Sequence, residues 1–304
     1  MNQLSEMTDK IQEAISILNA SNDHKILTRV PELLTAKESK GKAFKAAFID
    51  LETTGLDPKT DEIIEVGVLI ASFTNEDGFI NITFTNNQLQ QPTIPISEEI
   101  TKITGITNDD VAGKTINWDV LKDQLTNVDL IICHNAYFDR NFMELQTPNA
   151  FQTLIKSKPF GCSAHGINWR DLGFESAKLE YLNLKMGFFY EGHRALIDCF
   201  ATLNLFLAKP EAFNELKEKV RQKEILICAT NASFNKKDIL KNRNYRWSGG
   251  ENNLPKSWWT TVPEKDYDQE LQFLKSEIYE RDVLDLPTKS ITAKERYSYR
   301  SEEV

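Results

Sequence analysis

One stretch of nine residues, FIDLETTGL at 48–56, constrains this chain more than any other feature. An apolar run from Ala46 leads into it, so it is predicted to be a buried strand, on which residues two apart share a face. Asp50 and Glu52 therefore point the same way. Two carboxylates at the end of a buried strand repel each other and are costly to desolvate, unless a multivalent cation lies between them. The pair predicts a metal site; the alternative is an exposed strand end whose acids have no chemical role.

A second stretch supplies a third acid. The apolar residues 130–133 predict another strand, which runs into His134 and Asn135. Phe138 and Phe142 then follow with helical spacing. Asp139 is therefore predicted to lie near the start of a helix that follows the strand.

A third stretch supplies a histidine and a fourth acid. His193 follows Gly192, and Asp198 lies in the first turns of an apolar helix that continues through Phe206. Four carboxylates and one histidine suit two-metal phosphoryl chemistry, in which the metals lie about 3.5–4 Å apart. His165 is a second candidate, but an exposed or structural role is the simpler interpretation for it, so it is not assigned to the site.

The three motifs FIDLETTGL, HNAYFDRNF and HRALIDC resemble those of the DEDDh 3′–5′ exonucleases, the family of the proofreading epsilon subunit of bacterial DNA polymerase III and of ribonuclease T. The resemblance covers about residues 43–210 and implies a ribonuclease-H-like mixed sheet flanked by helices. It also implies that His193 is the catalytic base and that four acids hold two divalent ions, Mg²⁺ or Mn²⁺: Asp50, Glu52, Asp139 and Asp198.

The resemblance assigns finer roles as well. Asp50 would bridge both ions, Glu52 and Asp198 would hold the first, and Asp139 would help to hold the second. Four further residues would meet the terminal nucleotide or orient the site: Thr53, Thr54, Leu56 and Asn135. The implied reaction is release of nucleoside 5′-monophosphates from single-stranded 3′ ends.

Three substrates or roles stay open at this stage. DNA, in proofreading or repair, is the expected substrate, and trimming of RNA 3′ ends is the alternative, because the 2′-OH is recognised by loop geometry that a sequence does not reveal. An accessory subunit that docks to a polymerase or repair complex is a candidate of a different class.

Composition limits the remaining classes. With 304 residues, 40% of them hydrophobic, the chain can bury one large core and a small extra module. The net charge of −9 does not exclude a polyanionic substrate, because bound metals neutralise the acids and binding depends on local fields. No apolar run is long enough to span a membrane and residues 1–10 lack a signal-peptide core, so a cytoplasmic protein is expected. Four scattered cysteines without a CxxC pair predict neither disulfides nor a zinc site.

Five regions are predicted along the chain. Residues 1–42 form a helical extension that packs on the catalytic core, and residues 43–210 form the exonuclease domain. Residues 211–224 form a charged, solvated helical linker. Residues 225–284 form a small α+β module, and residues 285–304 a polar tail that is disordered from Lys289. This division predicts that truncation after Glu224 leaves the active site whole.

The C-terminal module is basic in an acidic protein. Residues 225–263 include six cationic residues and two acidic ones, Asp238 and Glu251. The cations are Lys236, Lys237, Lys241, Arg243, Arg246 and Lys256. Tyr245, Trp247, Trp258 and Trp259 lie among them, and bases stack on exposed aromatic rings. Nucleic-acid binding, docking of a polymerase or repair protein, and simple core packing are the three interpretations.

Overall fold

The computed structural model describes residues 3–250 and 253–303. Glu251 and Val304, which the sequence predictions include, lie outside them. The strands of the described residues are β1 Thr28–Arg29, β2 Phe44–Thr53, β3 Ile63–Thr74, β4 Gly78–Leu89, β5 Leu130–Cys133, β6 Phe160–Cys162, β7 Phe188–Phe189, β8 Glu224–Ala229, β9 Arg246–Ser248, β10 Ser257–Pro263 and β11 Thr288–Ile291.

The helices are α1 Gln3–Asn19, α2 Glu98–Thr104, α3 Asn108–Val111, α4 Trp118–Thr126, α5 Ala136–Gln146, α6 Asn149–Ser157, α7 Leu179–Lys185, α8 Ala195–Ala208, α9 Pro210–Arg221, α10 Lys237–Asn242 and α11 Tyr267–Phe273. A π-helical turn, Leu274–Tyr279, continues α11, and short 3₁₀ turns occupy Phe234–Lys236, Glu264–Asp266 and Tyr299–Glu302. None of the helices in the described residues is long and apolar enough to span a membrane.

The main sheet has five strands in the order β4-β3-β2-β5-β6. β3 is antiparallel to both β2 and β4, whereas β5 and β6 extend the sheet in parallel from β2. Every residue of β3 is buried, as expected of a strand covered on both faces. The predicted ribonuclease-H-like mixed sheet with flanking helices is confirmed.

Alternate residues of β2 belong to different cores. Ala46 and Phe48 pack with the apolar residues of α8 and α9, whereas Ala47 and Ile49 pack with those of α4, α5 and α6. Since side chains alternate along a strand, Asp50 and Glu52 continue the face that Phe48 presents to α8. The two acids therefore emerge from the sheet on the side of the helix that carries Asp198.

Helix α9 is not the solvated linker predicted for residues 211–224. Ala212, Phe213 and Leu216 are buried in the core beside α8, and the rings of Phe213 and Phe79 lie 4.5 Å apart. The charged residues occupy the outer face of an amphipathic helix, and the mixed charge along the sequence hid the apolar stripe.

The N-terminal extension divides into two parts. β1 pairs in parallel with β7, and Val30 is buried in the main core. Helix α1 behaves differently from the prediction that the extension packs on the core, because Ile11, Ile17 and Leu18 are exposed. β1 and Val30 therefore attach the second part of this extension to the exonuclease domain.

The C-terminal module is a four-stranded antiparallel sheet in the order β11-β8-β10-β9. The predicted α+β character of the module is confirmed, but Trp258 and Trp259 are buried, so they are core residues rather than stacking platforms. Tyr245 is also buried, and its hydroxyl donates to Glu270 at 2.9 Å. Trp247 alone of the four predicted aromatic residues is exposed.

The prediction of a disordered tail from Lys289 is wrong. β11 pairs with β8, so the module's sheet crosses the predicted boundary at 284/285. The domain boundaries as a whole stay predictions. The polar composition of the tail hid its attachment, because much of the tail is held by buried polar groups of the exonuclease domain, notably Arg140 and Glu144.

Arg140 shows how the C-terminal segment is held. Its guanidinium is fully buried on α5, pairs with Glu144 at 2.7 Å, and donates to the carbonyl oxygens of Ala293, Lys294 and Arg296. A buried guanidinium that loses such acceptors pays its full desolvation cost. Removing the C-terminal module would leave this buried cation without its acceptors and would destabilise the exonuclease domain. This is contrary to the prediction that truncation after Glu224 leaves the active site whole.

We predict that Arg140→Ala, or removal of residues 292–304, destabilises the exonuclease domain by about 3–5 kcal/mol. Urea unfolding measures the loss. Arg170→Ala is the matched control, because Arg170 is exposed. Equal unfolding midpoints for Arg140→Ala and the control would contradict the assigned role of the C-terminal segment.

Candidate active site

A cleft of about 690 Å³ opens where the end of β2 meets the first turns of α5 and α8. Five of its lining residues are the predicted acids and histidine, Asp50, Glu52, Asp139, His193 and Asp198. Others come from α7, from its preceding residue Lys178, and from Tyr190. The structure thus brings together residues that lie almost 150 positions apart in the sequence.

Three of the acids form a tight group. One carboxylate oxygen each from Asp50, Glu52 and Asp198 lies within 4.8 Å of the others. Hard divalent cations such as Mg²⁺ and Mn²⁺ prefer carboxylate oxygens at this kind of spacing. The donor set therefore fits the predicted ion.

Asp139 lies deeper than this group. It is buried, and its Oδ1 accepts a hydrogen bond of 3.1 Å from the main-chain N–H of Leu51, between Asp50 and Glu52. The bond ties the start of α5 to the end of β2. Asp139 is thus held beneath the group of three carboxylates, beside it rather than within it.

The start of α8 is held against β3 by a close backbone approach. A Cβ on Gly67 would lie 2.3 Å from the carbonyl carbon of Ala195, so any other residue there would push the helix away. The thiol of Cys199 donates to the carbonyl oxygens of Phe48 and Gly67, at 3.4 Å each. These contacts fix the position of Asp198 relative to the acids of β2.

Glu65 and Arg194 complete this attachment. Glu65 is fully buried and accepts hydrogen bonds from the Arg194 guanidinium at 2.9 Å and from the N–H of Ala195 at 3.0 Å. It lies directly across the strand pair from Glu52, where two like charges alone would repel. The guanidinium of Arg194 partly offsets that repulsion. Its positive charge acts to lower the pKa of Glu52, against the larger effects that raise it.

The acids strongly resist ionising together. Burial, followed by repulsion from Asp139 and Asp198, raises the pKa of Asp50 well above its usual range. Burial and Asp198 raise the pKa of Glu52 to about 8, and burial raises the pKa of Asp198 to about 6. Bound cations would reverse these shifts, because they favour the charged carboxylates.

The three histidines near the domain differ in role. His193 is exposed, lines the cleft and precedes α8 with a positive φ of 63°. His134 also lines the cleft, but burial lowers its pKa to about 4 and its Nδ1 lies 2.8 Å from the Ser163 hydroxyl. His165 lines a different cavity, between the exonuclease domain and the C-terminal module.

The four residues predicted to meet the nucleotide separate into two pairs. Leu56, which is 84% exposed, and Asn135 line the cleft. Thr53 and Thr54 do not line it; their hydroxyls hold the loop, by donating to Gly55 O at 2.5 Å and by accepting from Glu62 N at 2.9 Å.

Sequence reasoning missed several residues that shape the site, notably Glu65, Gly67, Arg194 and Tyr190. A signal was present for Glu65 and Gly67, because a charge and a glycine interrupt an otherwise apolar strand. Tyr190 offered none. The side chain of Tyr190 lies close enough to Asp198 to influence the pKa of that carboxyl, a proximity that only the fold reveals.

The family model for exonucleases, RNase_T, matches residues 47–206, which include most of the sheet, the cleft and all four acids. The chain belongs to this exonuclease family. The epsilon subunit of DNA polymerase III from Aquifex aeolicus is 30% identical over 162 residues, 52% of this chain and 77% of that protein. The PolC-type DNA polymerase III of Thermotoga petrophila is 32% identical over 175 residues, 57% of this chain.

The exonuclease domain is a small part of some of these relatives, since the chain spans 12% of the length of the Thermotoga protein. Among solved structures, Exonuclease X in complex with 5′ overhanging duplex DNA aligns with a TM-score of 0.42 and 20% identity, covering 57% of this chain and 98% of that one. A structure of Exonuclease I aligns with a TM-score of 0.47 and 17% identity, covering 83% of this chain and 63% of that one.

The raised pKa values predict how the stability of this exonuclease changes with pH. An acid whose pKa is raised by folding stabilises the fold fully below its unfolded pKa, about 4, and loses that contribution as pH rises through the folded value. For Asp198 and Glu52 these folded values are about 6 and about 8. Without metal, the melting temperature should therefore fall between pH 5 and pH 9. Glu144, whose pKa is lowered to about 2, acts only below this window.

Calorimetric melts with and without Mg²⁺ or Mn²⁺ test this prediction. Metal should raise the melting temperature more at pH 9 than at pH 5, and Asp50→Asn should flatten the pH dependence of the metal-free protein. A metal-free melting temperature that rises steadily over this range would contradict the assignment of a crowded carboxylate site.

Proposed function

We propose that this protein is a metal-dependent 3′–5′ exonuclease that releases nucleoside 5′-monophosphates from single-stranded nucleic acid ends. The observation that carries the proposal is the group of three carboxylates within 4.8 Å, set in a cleft of an exonuclease-family domain. Gathering these acids costs free energy, because the carboxylates are desolvated and repel one another. A purely structural role would not explain that cost.

Each acid has a proposed part in holding two divalent ions, Mg²⁺ or Mn²⁺. Asp50, Glu52 and Asp198 hold the first, and Asp50 with Asp139 helps to hold the second. The chemistry that such a pair supplies when bound is neutralisation of the phosphodiester charge and ionisation of the attacking water.

His193 is the proposed general base. It is the histidine of the cleft that is exposed, and its ring makes no hydrogen bond within the described residues that would compete for the proton. His134 is unsuited to the task, because a pKa of about 4 makes it too weak a base at neutral pH. We therefore assign His134 to the wall of the cleft.

The terminal nucleotide is proposed to lie between Leu56 and Asn135. An exposed leucine at the mouth of a polar cleft is suited to packing against a base or sugar. Thr53 and Thr54 would contribute through main-chain N–H groups, since their hydroxyls are used inside the loop.

DNA is the proposed substrate, in proofreading or repair, because the curated relatives are DNA polymerase III proteins. RNA 3′-end trimming is the second candidate. For the C-terminal module, the exposed Trp247 and Phe234 beside basic residues support contact with nucleic acid or with a polymerase or repair protein. A cytoplasmic location stays a prediction.

We predict that Asp50→Asn and Asp198→Asn each lower the rate on end-labelled single-stranded DNA in Mg²⁺ by about 10²-fold or more. Asp119→Asn is the matched control, because Asp119 is an exposed acid on α4. Near-normal hydrolysis by either cleft variant would show that the acids do not hold the catalytic ions.

The general base can be tested separately. His193→Ala should lower kcat by about 10²–10⁴-fold and remove the rise of rate with pH that deprotonation of an imidazole causes. His165→Ala should keep that rise. The opposite pattern would show that His193 is not the general base.

The substrate class is tested by comparing end-labelled single-stranded DNA and RNA of one sequence side by side. The proposal predicts faster loss of DNA, with nucleoside 5′-monophosphates as products. Preferential loss of RNA would favour the trimming ribonuclease, and hydrolysis of neither would leave the accessory subunit.

A further inference from the structure

The residues around His193 form a short connection between β7 and α8. We call residues 190–194 the histidine segment. At its C-terminal end, the N–H of Arg194 donates to Asp198 at 3.2 Å, and the next residue, Ala195, is held by Glu65. At its N-terminal end the segment continues directly from β7.

The histidine segment forms part of the wall of the cleft. Tyr190, Gly192 and His193 all line it. A Cβ on Gly192 would lie 3.3 Å from the Tyr190 ring and 3.7 Å from Oδ1 of Asp198. The position of this segment therefore decides where His193 lies relative to the carboxylates.

The backbone of the histidine segment is strained and exposed. His193 has a φ of 63°, in the left-handed region that is unfavourable for a residue with a Cβ. Glu191, Gly192 and His193 are all exposed. Strained backbone of this kind persists only where the surrounding structure holds it in place. The N-terminal end of the segment should therefore be anchored as well as the C-terminal end.

The N-terminal extension supplies that second anchor. β1 and β7 form a two-stranded parallel sheet of their own. The N–H of Thr28 donates to the carbonyl oxygen of Gly187, and the N–H of Val30 donates to that of Phe189, at 2.9 Å each. Within the described residues, β1 is the only strand that pairs with β7. We call residues 28–30 the N-terminal strap.

The N-terminal extension also meets the histidine segment through side chains. The guanidinium of Arg29 lies 3.6 Å from the carboxylate of Glu191 and 4.9 Å from the ring centroid of Phe189. Residues of both stretches line one cavity of about 240 Å³: Arg29, Val30 and Glu32 from the extension, and Tyr190, Glu191 and Arg194 from the segment. Since Tyr190 also lines the cleft, only this residue separates the cavity from the active site.

The main-chain bonds of the strap contribute more than its charges do. Arg29 and Glu191 are exposed, and an exposed ion pair contributes little on its own. Val30, in contrast, is buried in the main core, so the strap is itself fixed to the exonuclease domain. Phe188 and Tyr190 pack against the same core. The strap adds the backbone pairing that this side-chain packing does not supply.

We propose that the N-terminal strap positions His193 for catalysis, because it fixes the strand that leads into the histidine segment. The inference rests on the proposed role of His193 and adds to it three positioning residues that do not line the cleft. A general base acts only within hydrogen-bond reach of its proton, so a small displacement of the segment slows the reaction.

Hydrogen exchange of the full-length chain tests the attachment without any need for activity. Thr28→Pro removes the N–H that pairs with Gly187, and Arg29→Ala removes the guanidinium beside β7. In this double variant, the amides of residues 187–194 should exchange about ten-fold faster or more, with β2 and β3 unchanged.

Thr35→Pro combined with Lys40→Ala is the matched control, because both residues are exposed in the same extension. The control should exchange like the unsubstituted protein. Unchanged exchange of residues 187–194 in the Thr28→Pro, Arg29→Ala variant, or an equal rise in β2 and β3, would overturn the proposed role of the strap.

Kinetics show whether the strap acts through His193. The double variant should lower kcat on end-labelled single-stranded DNA by about ten-fold or more with little change in KM, because a displaced base slows the chemical step. In a His193→Ala background the same two substitutions should lower kcat no further, since residues that act together are not additive. A full additional loss in that background, or a change confined to KM, would contradict the proposal.

Failure of the proposed function would give a separate pattern. If the unsubstituted protein hydrolyses no strand, or if His193→Ala retains the normal rate, the proposed activity or its general base is wrong. Hydrogen exchange would then still decide whether the strap holds the histidine segment.

Discussion

Repulsion between buried carboxylates is the constraint on which the rest of this structure depends. One carboxylate oxygen each from Asp50, Glu52 and Asp198 lies within 4.8 Å of the others, and Asp139 lies beside them. Burial raises the pKa of all four acids. Such a group is stable only if the surrounding fold holds it in place. The five-stranded sheet, α5 and α8 perform that task together, and divalent cations would complete it.

The supports of the site are mostly main-chain groups and side chains that do not line the cleft. The N–H of Leu51 holds Asp139, the N–H of Arg194 holds Asp198, and Glu65 holds the start of α8. On the outer side of α5, the buried Arg140 ties the catalytic helix to the carbonyl oxygens of the C-terminal segment. Stability and function are therefore linked in the same helix, because Arg140 follows Asp139 directly.

The three motifs could be predicted from the sequence because the pattern of each one is local. The alternation of β2 alone places Asp50 and Glu52 on one face, and the apolar run after Asp198 alone predicts its helix. The supports could not be predicted, since Arg140 looks like an ordinary surface cation until residues about 150 positions later cover it. The same reason explains the incorrect prediction for the tail, whose partners are distant in sequence, whereas for α9 the charged outer face of the helix hid its apolar stripe.

The central claim is that the four acids share two divalent ions, and diffraction from crystals soaked in Mn²⁺ tests it most directly. Two anomalous peaks about 3.5–4 Å apart are predicted. One should lie among Asp50, Glu52 and Asp198, and the other between Asp50 and Asp139. Ordered carboxylates without a peak, or manganese bound only elsewhere on the chain, would contradict the account.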